Sequence, residues 1–256
     1  MSLRIGRREF APRAWAVAAT LLVVAACVAL GGWQLRRGQE KQALVAAFAD
    51  GTATSIELQD VVTVDGLPRY QRVRATGAYD STHQVLIDNM PSQAGKPGYR
   101  VLTPFRRDGS DTLLLVDRGW VPLGTSRSVL PAVSVSSGHR AVSGQLDTLP
   151  EPGVRVGAAG VPGDRSWPRV LNFPRQQDVE QALGERVESR IVLLDPAAPD
   201  GFERAWRPAM RFGPERHLGY AVQWFALALA VLVAFVALSL RPRDDAADTK
   251  TMDSTA

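Results

Sequence analysis

Two long uncharged apolar runs, one near each end, constrain this chain more than any other feature. Ala14 to Trp33 reads AWAVAATLLVVAACVALGGW, 20 residues without a charge, and Leu218 to Leu240 reads LGYAVQWFALALAVLVAFVALSL, 23 more. At 1.5 Å of rise per residue, about 20 apolar residues cross a hydrocarbon core roughly 30 Å thick. Arginines flank both runs. A core helix of a water-soluble protein rarely stays uncharged for so long, so both runs read as transmembrane helices, over 14–33 and 217–240. Whole-chain averages hide this. The chain is 45% hydrophobic and 22% charged, which looks ordinary only because the apolar residues gather at the two ends.

A cleaved signal peptide is the competing reading of the first run. Arg4, Arg7, Arg8 and Arg13 make a basic leader, and ALGG resembles a small-residue cleavage site. The run is longer than the apolar region of a signal peptide, about 7–15 residues. It also continues into QLRRGQEKQALVAAFA, a helix-forming stretch with Gly38 as its one turn signal. It therefore reads as an uncleaved anchor with a helical extension over 34–49.

The formal net charge is +4 with a pI near 9.6. In a soluble protein that would raise nucleic acid as a partner. Here many arginines sit beside the spans, where anionic lipid head groups account for them. No zinc-finger spacing or RNA-binding aromatic motif is present, so the bilayer is the expected partner and nucleic acid is not. The lone cysteine, Cys27, lies inside the first run. The middle of the chain thus has no disulfide, no CxxC and no thiolate site for carrying copper.

Charge bias near the spans does not set their orientation. Arg4, Arg7, Arg8, Arg13, Arg241, Arg243 and Lys250 stand on the terminal side; Arg36, Arg37, Lys41, Arg204, Arg207, Arg211 and Arg216 stand on the other. The early basic cluster favours a cytoplasmic N-terminus (residues 1–13), because the first helix usually dominates. The tail 241–256 is polar and reads as disordered and cytoplasmic.

Between the spans, residues 34–216 read as one β-rich extramembrane domain, a barrel or a sandwich. YQRVRATGAY, HQVLIDNM, YRVLTPF, DTLLLVDRGWVP, HRAVSGQL and SRIVLLD are short β-prone runs punctuated by Gly- and Pro-containing turns. TPFRRDGSDTLLLV predicts a hairpin around Asp108-Gly109. QQDVEQALGE predicts one helix, starting after Pro174 and stopping near Gly184. The Gly- and Pro-rich stretch from Pro150 to Trp167 reads as a surface loop.

The domain carries no nucleophile motif, P-loop or dinucleotide fingerprint. His83 and His139 stand beside turns without metal-ligand spacing. The more informative groups lie where the spans meet the domain in sequence. The first span ends Trp33-Gln34-Leu35-Arg36-Arg37, and the second begins Arg216-His217-Leu218-Gly219-Tyr220, followed by Gln223-Trp224. His217, Tyr220 and Trp224 fall at i, i+3 and i+7 of a helix. Interfacial anchoring explains the aromatics and arginines. It explains Gln34, Gln223 and His217 less well, because polar groups at the edge of a span are costly and tend to mark sites.

The same residues carry a family resemblance. LGGWQLRRGQEK after the first span, YQRVRATGAYD, VDRGWVP and RHLGYAVQWFALA, in that order and with two spans, resemble the Surfeit locus protein 1 family of cytochrome c oxidase assembly factors. The resemblance covers nearly the whole chain. It implies a non-enzymatic assembly protein of the cytoplasmic or mitochondrial inner membrane, with both termini on the cytoplasmic or matrix side. The short basic stretch ahead of the first span favours a bacterium and a periplasmic domain.

The resemblance further implies help in maturing oxidase subunit I by binding and delivering haem a, with His217 at the position of the family's haem-linked histidine. A neutral imidazole suits haem iron as an axial ligand. On this reading Tyr220 and Trp224 pack on the macrocycle, Arg36, Arg37 or Arg216 pairs with propionates, and Trp33 and Gln34 belong to the same cofactor-binding set. The alternative is a scaffold for subunit I or a haem a synthase that binds no haem. There Arg118, Gly119 and Trp120 of VDRGWVP offer partner surface, unless Trp120 fills the barrel core. A membrane-anchored enzyme ranks third.

Overall fold

The computed structural model describes residues 3–5, 8–50, 54–60, 63–124, 126–151, 159–160, 166–208 and 212–242. The tail beyond Pro242, most of the Gly- and Pro-rich stretch, and Arg7, Arg211, Arg243 and Lys250 lie outside these. In chain order the elements are β1 (Leu3–Ile5), β2 (Arg8–Phe10), α1 (Ala14–Asp50), β3 (Ile56–Glu57), a 3-10 turn (Leu58–Asp60), β4 (Arg72–Tyr79), β5 (Val85–Ile87), β6 (Gly98–Arg107), β7 (Leu113–Pro122), β8 (Arg140–Asp147), β9 (Arg169–Leu171), α2 (Gln176–Leu183), β10 (Val187–Leu194), α3 (Pro214–Ser239) and β11 (Leu240–Pro242). They form two compact units, residues 1–44 with 210–256, and residues 45–209.

The first unit is a helical hairpin. A stripe of less exposed positions runs along α1 through Val17, Thr20, Val24, Cys27, Gly31, Gln34 and Gly38, and one along α3 through His217, Ala221, Trp224, Ala228, Val231 and Phe235. Steps of three and four alternate on both helices, which is the spacing of a seam between helices crossing at a shallow angle. Three contacts make the pairing antiparallel. A β-carbon on Gly38 would stand 3.4 Å from His217 Cβ, one on Gly31 would meet the Phe225 ring, and Phe10 lies edge-on to Phe235 at 6.1 Å between ring centres. Gly and Ala in the seam let the backbones approach.

Both helices are long and apolar enough to span a bilayer, yet only 11% of each apolar stretch is buried. A core helix of a soluble protein is mostly buried; here Leu21, Leu22, Val233 and Leu238 face outward. Pro214 fixes the first turn of α3 with Glu215 beside it. At the far end of the hairpin β2 pairs antiparallel with both β1 and β11.

The second unit is a barrel. β4 pairs antiparallel with β8 and β6, β6 with β7, and β10 with β8, while β7 and β10 run parallel. Those five strands close on themselves. Numbered along the chain, the ring runs 1-2-3-5-4 and back to 1, with 3 and 5 parallel, which is the connectivity of the OB-fold. Period-two alternation sends Val73, Ala75, Tyr79, Phe105, Leu114, Val116, Val142, Leu146, Val192 and Leu194 into the interior. The β6–β7 hairpin turns at Gly109, whose φ of 73° is open to glycine without strain.

β6 and β7 are also covered on their outer face. Leu102, Leu113 and Leu115 pack with β5, β10 and Val179 of α2. Tyr99, Val101 and Val121 pack with Leu86 and with Val133 of the β7–β8 connection. Burial on both faces explains why LLLV and VLTPF read as unbroken apolar runs. The helix α2 is capped where the sequence suggests. The Asp178 carboxylate accepts the Arg175 N–H at 2.7 Å, and Gly184 ends the helix at φ 74°. Inside the wall, Arg107 and Glu188 form a buried ion pair at 3.1 Å.

Candidate functional site

The seam of the hairpin carries one polar pair. His217 Nδ1 lies 2.8 Å from Gln34 Oε1, and both side chains are half-buried. Each sits on the seam because each falls on the three-four repeat of small residues. An amide oxygen only accepts, so with Oε1 facing it Nδ1 is the donor of this bond, and in the neutral ring the lone pair then falls on Nε2. Among the described residues Nε2 has no hydrogen-bond partner. A neutral imidazole with a fixed Nδ1–H and an open Nε2 is a ready metal ligand.

The other residues singled out from sequence do not all converge on this pair. Trp224 lies half-buried on the seam one heptad after His217. Tyr220 is 51% exposed and Trp33 47%, so both point away from the seam. Arg36 is exposed, Arg37 pairs with Glu40 at 2.7 Å, and the exposed Arg216 stacks over Phe212 at 4.7 Å. Among the described residues these three cationic side chains have no buried counter-charge.

Sequence reasoning took Gly38 only as a turn signal. In the hairpin it is the bare position under His217, and with Leu35, Gln39, Gln42, Pro214, Glu215 and Leu218 it lines a groove of about 360 Å³. The signal for it was Gly31–Gln34–Gly38 at three-four spacing.

The VDRGWVP motif forms most of β7, and its parts face different ways. Arg118 is 2% exposed. It donates to Asp200 O at 2.7 Å, Val133 O at 2.8 Å and Ser134 O at 3.1 Å, and it reaches Gln84 and Thr103. It also stacks on Phe202 at 4.9 Å. These are internal contacts, so its guanidinium is not surface; it ties β7 to the β7–β8 connection and to the segment after β10.

Gly119, at φ 115°, lies against the backbone of Phe202 and Glu203. Trp120 is half-buried outside the barrel interior, packed over the bare Gly98 and donating from Nε1 to Met90 O at 2.7 Å. Asp117 is buried in an ion pair with Arg100; burial raises its carboxyl above the ordinary range despite that attraction.

OB-folds commonly bind oligonucleotides and sugars on the outer face of their second and third strands. Here those strands are β6 and β7, and the chain's own α2 and β7–β8 connection cover them. His83 and His139 each pair with a carboxylate, Asp80 at 2.6 Å and Asp108 at 2.9 Å. Among the described residues no group of three or more His, Cys, Asp or Glu is placed to hold a metal ion.

Hairpin, seam and barrel together define a membrane protein with two terminal apolar helices and an OB-type barrel inserted between them. Residues 21–229 match the model of the SURF1 family, and the chain belongs to that family. A SURF1-like protein of Rickettsia conorii is 26% identical over 219 residues, covering 82% of this chain and 85% of the relative. Surfeit locus protein 1 of Takifugu rubripes is 31% identical over 233 residues, covering 82% and 91%. Over a shorter stretch of 95 residues the chain is 33% identical to the cytochrome oxidase assembly protein SHY1 of Saccharomyces cerevisiae, covering 36% of this chain and 24% of that protein.

Proposed function

We propose that this protein is a non-catalytic assembly factor for cytochrome c oxidase in a bacterial cytoplasmic membrane, and that it presents haem a to subunit I through His217. Family membership and the likeness to the yeast cytochrome oxidase assembly protein support the assembly role. The observation that carries the haem reading is the half-buried His217 with its Nδ1 bonded to Gln34 and its Nε2 open. The donor set fits the group. Haem iron takes an imidazole nitrogen as an axial ligand and supplies the colour and redox response by which binding is read. Trp224, one heptad along the same seam, offers an apolar face to a macrocycle, and Arg36, Arg37 and Arg216 offer charge-assisted bonds to propionates. The early arginine cluster supports both termini lying in the cytoplasm and the barrel in the periplasm.

The test is expression of the protein in cells making haem a, followed by an absorption spectrum of the purified wild type and His217→Ala. A haem spectrum in the wild type, lost in the variant, is the expected result. A spectrum that survives the substitution removes His217 as ligand.

One observation favours the scaffold reading. A hydrogen bond between membrane helices, worth about 0.6–2 kcal/mol, also pins the register of the hairpin, and Gln34–His217 does this without any cofactor. A wild type that stays colourless in haem a-producing cells, yet still co-purifies with subunit I or a haem a synthase, selects that reading.

A further inference from the structure

We infer that Gln34 is a positioning residue: its amide oxygen holds the imidazole proton of His217 on Nδ1, so that Nε2 is the one nitrogen the ring can offer to a ligand. The tautomer stands on the hairpin geometry alone, and its consequence for ligation rests on the haem reading above.

The seam leaves His217 little freedom. Its Cβ lies over the bare Gly38, and Gln34, one turn earlier on α1, is within 2.8 Å of Nδ1. A histidine side chain free in water favours the proton on Nε2, so an acceptor at Nδ1 reverses the ordinary preference. A Gln34 amide turned the other way would donate to Nδ1 and restore Nε2–H, which makes the tautomer the deciding observable. Metal-bound histidines commonly give their second N–H to a carbonyl or carboxylate, which fixes the ring and raises its basicity. Gln34 is the neutral form of that partner. Its carboxylate analogue should push harder on the ring, and an apolar isostere should not push at all.

The experiment uses the full chain in detergent micelles with ¹⁵N-labelled histidine. Two-bond ¹H–¹⁵N correlation reads the His217 tautomer, assigned by its loss in His217→Ala. The wild type and Gln34→Glu should show Nδ1–H, and Gln34→Leu should shift to mainly Nε2–H. With haem a added, Gln34→Leu should bind on the order of tenfold more weakly. The midpoint potential of the bound haem should fall in Gln34→Glu and rise in Gln34→Leu. A residue that merely pins the helices would move stability in both variants but would not shift potential in opposite directions. Nε2–H in the wild type, or a Gln34→Leu protein unchanged in tautomer and affinity, overturns the positioning role. A wild type with Nδ1–H that takes up no haem keeps the tautomer and overturns the ligation built on it.

Discussion

A β-carbon built on Gly31 would stand 2.8 Å from two ring carbons of Phe225, closer than real side chains come. Gly31 is therefore where α1 admits an aromatic from α3, one turn from the Gln34–His217 pair. Gly31→Ala must push the ring aside, and overpacking of this kind costs about 1–3 kcal/mol. The expected outcome is a lower thermal midpoint of the hairpin in detergent, recovered by adding Phe225→Leu. A Gly31→Ala chain as stable as the wild type, with or without the second change, would mean that the seam does not pack here.

Tyr79 gives the barrel an alkaline limit. It is 4% exposed, edge-on to Phe105 at 5.2 Å, and burial pushes its hydroxyl up to about 12 from an ordinary 10.0, against the attraction of Arg118 and Arg140. The folded state thus holds the proton more tightly than the unfolded chain. The associated stability is fully present below pH 10 and is lost as pH rises through the folded value. At about 1.4 kcal/mol per unit this amounts to roughly 2–3 kcal/mol. Unfolding followed from pH 8 to 12 should show a drop in the wild type between pH 10 and 12 that is smaller by that amount in Tyr79→Phe. Parallel profiles for the two proteins would remove Tyr79 as the cause.

The two spans and the strands were open to reading because each rests on local pattern. An uncharged run is a property of consecutive residues, and so are β-prone alternation bounded by Asp108-Gly109 and a short helix stopped by Gly184. Ring closure was not readable, because the parallel pair of Ile191 with Leu115 joins residues far apart in the chain, and no local signal selects parallel over antiparallel. The strands β1, β2 and β11 passed unread because basic and polar ends resemble solvated tails. At the site, His217 and Gln34 were marked individually by polarity at a membrane boundary. That they touch follows from a seam on two helices, visible only when the small residues of both are aligned. Arg118 stood out within a motif, but a side chain's burial is set by what the fold lays over it, here the β7–β8 connection and the segment after β10.

That burial separates the motif from the haem reading and can be tested. Arg118 satisfies three backbone carbonyls with one planar fork. Lysine, a single point charge, cannot reach all of them. Each carbonyl left buried and unpaired costs about 1–3 kcal/mol, so Arg118→Lys should lower the stability of the barrel by about 2 kcal/mol or more and reduce the amount of protein in the membrane. Haem bound per folded molecule should stay at the wild-type level, because the guanidinium contacts described here lie within the barrel unit. Circular dichroism melting together with the haem-to-protein ratio measures both effects. An Arg118→Lys protein that melts like the wild type but no longer co-purifies with oxidase subunit I would return the guanidinium to the role of a partner contact.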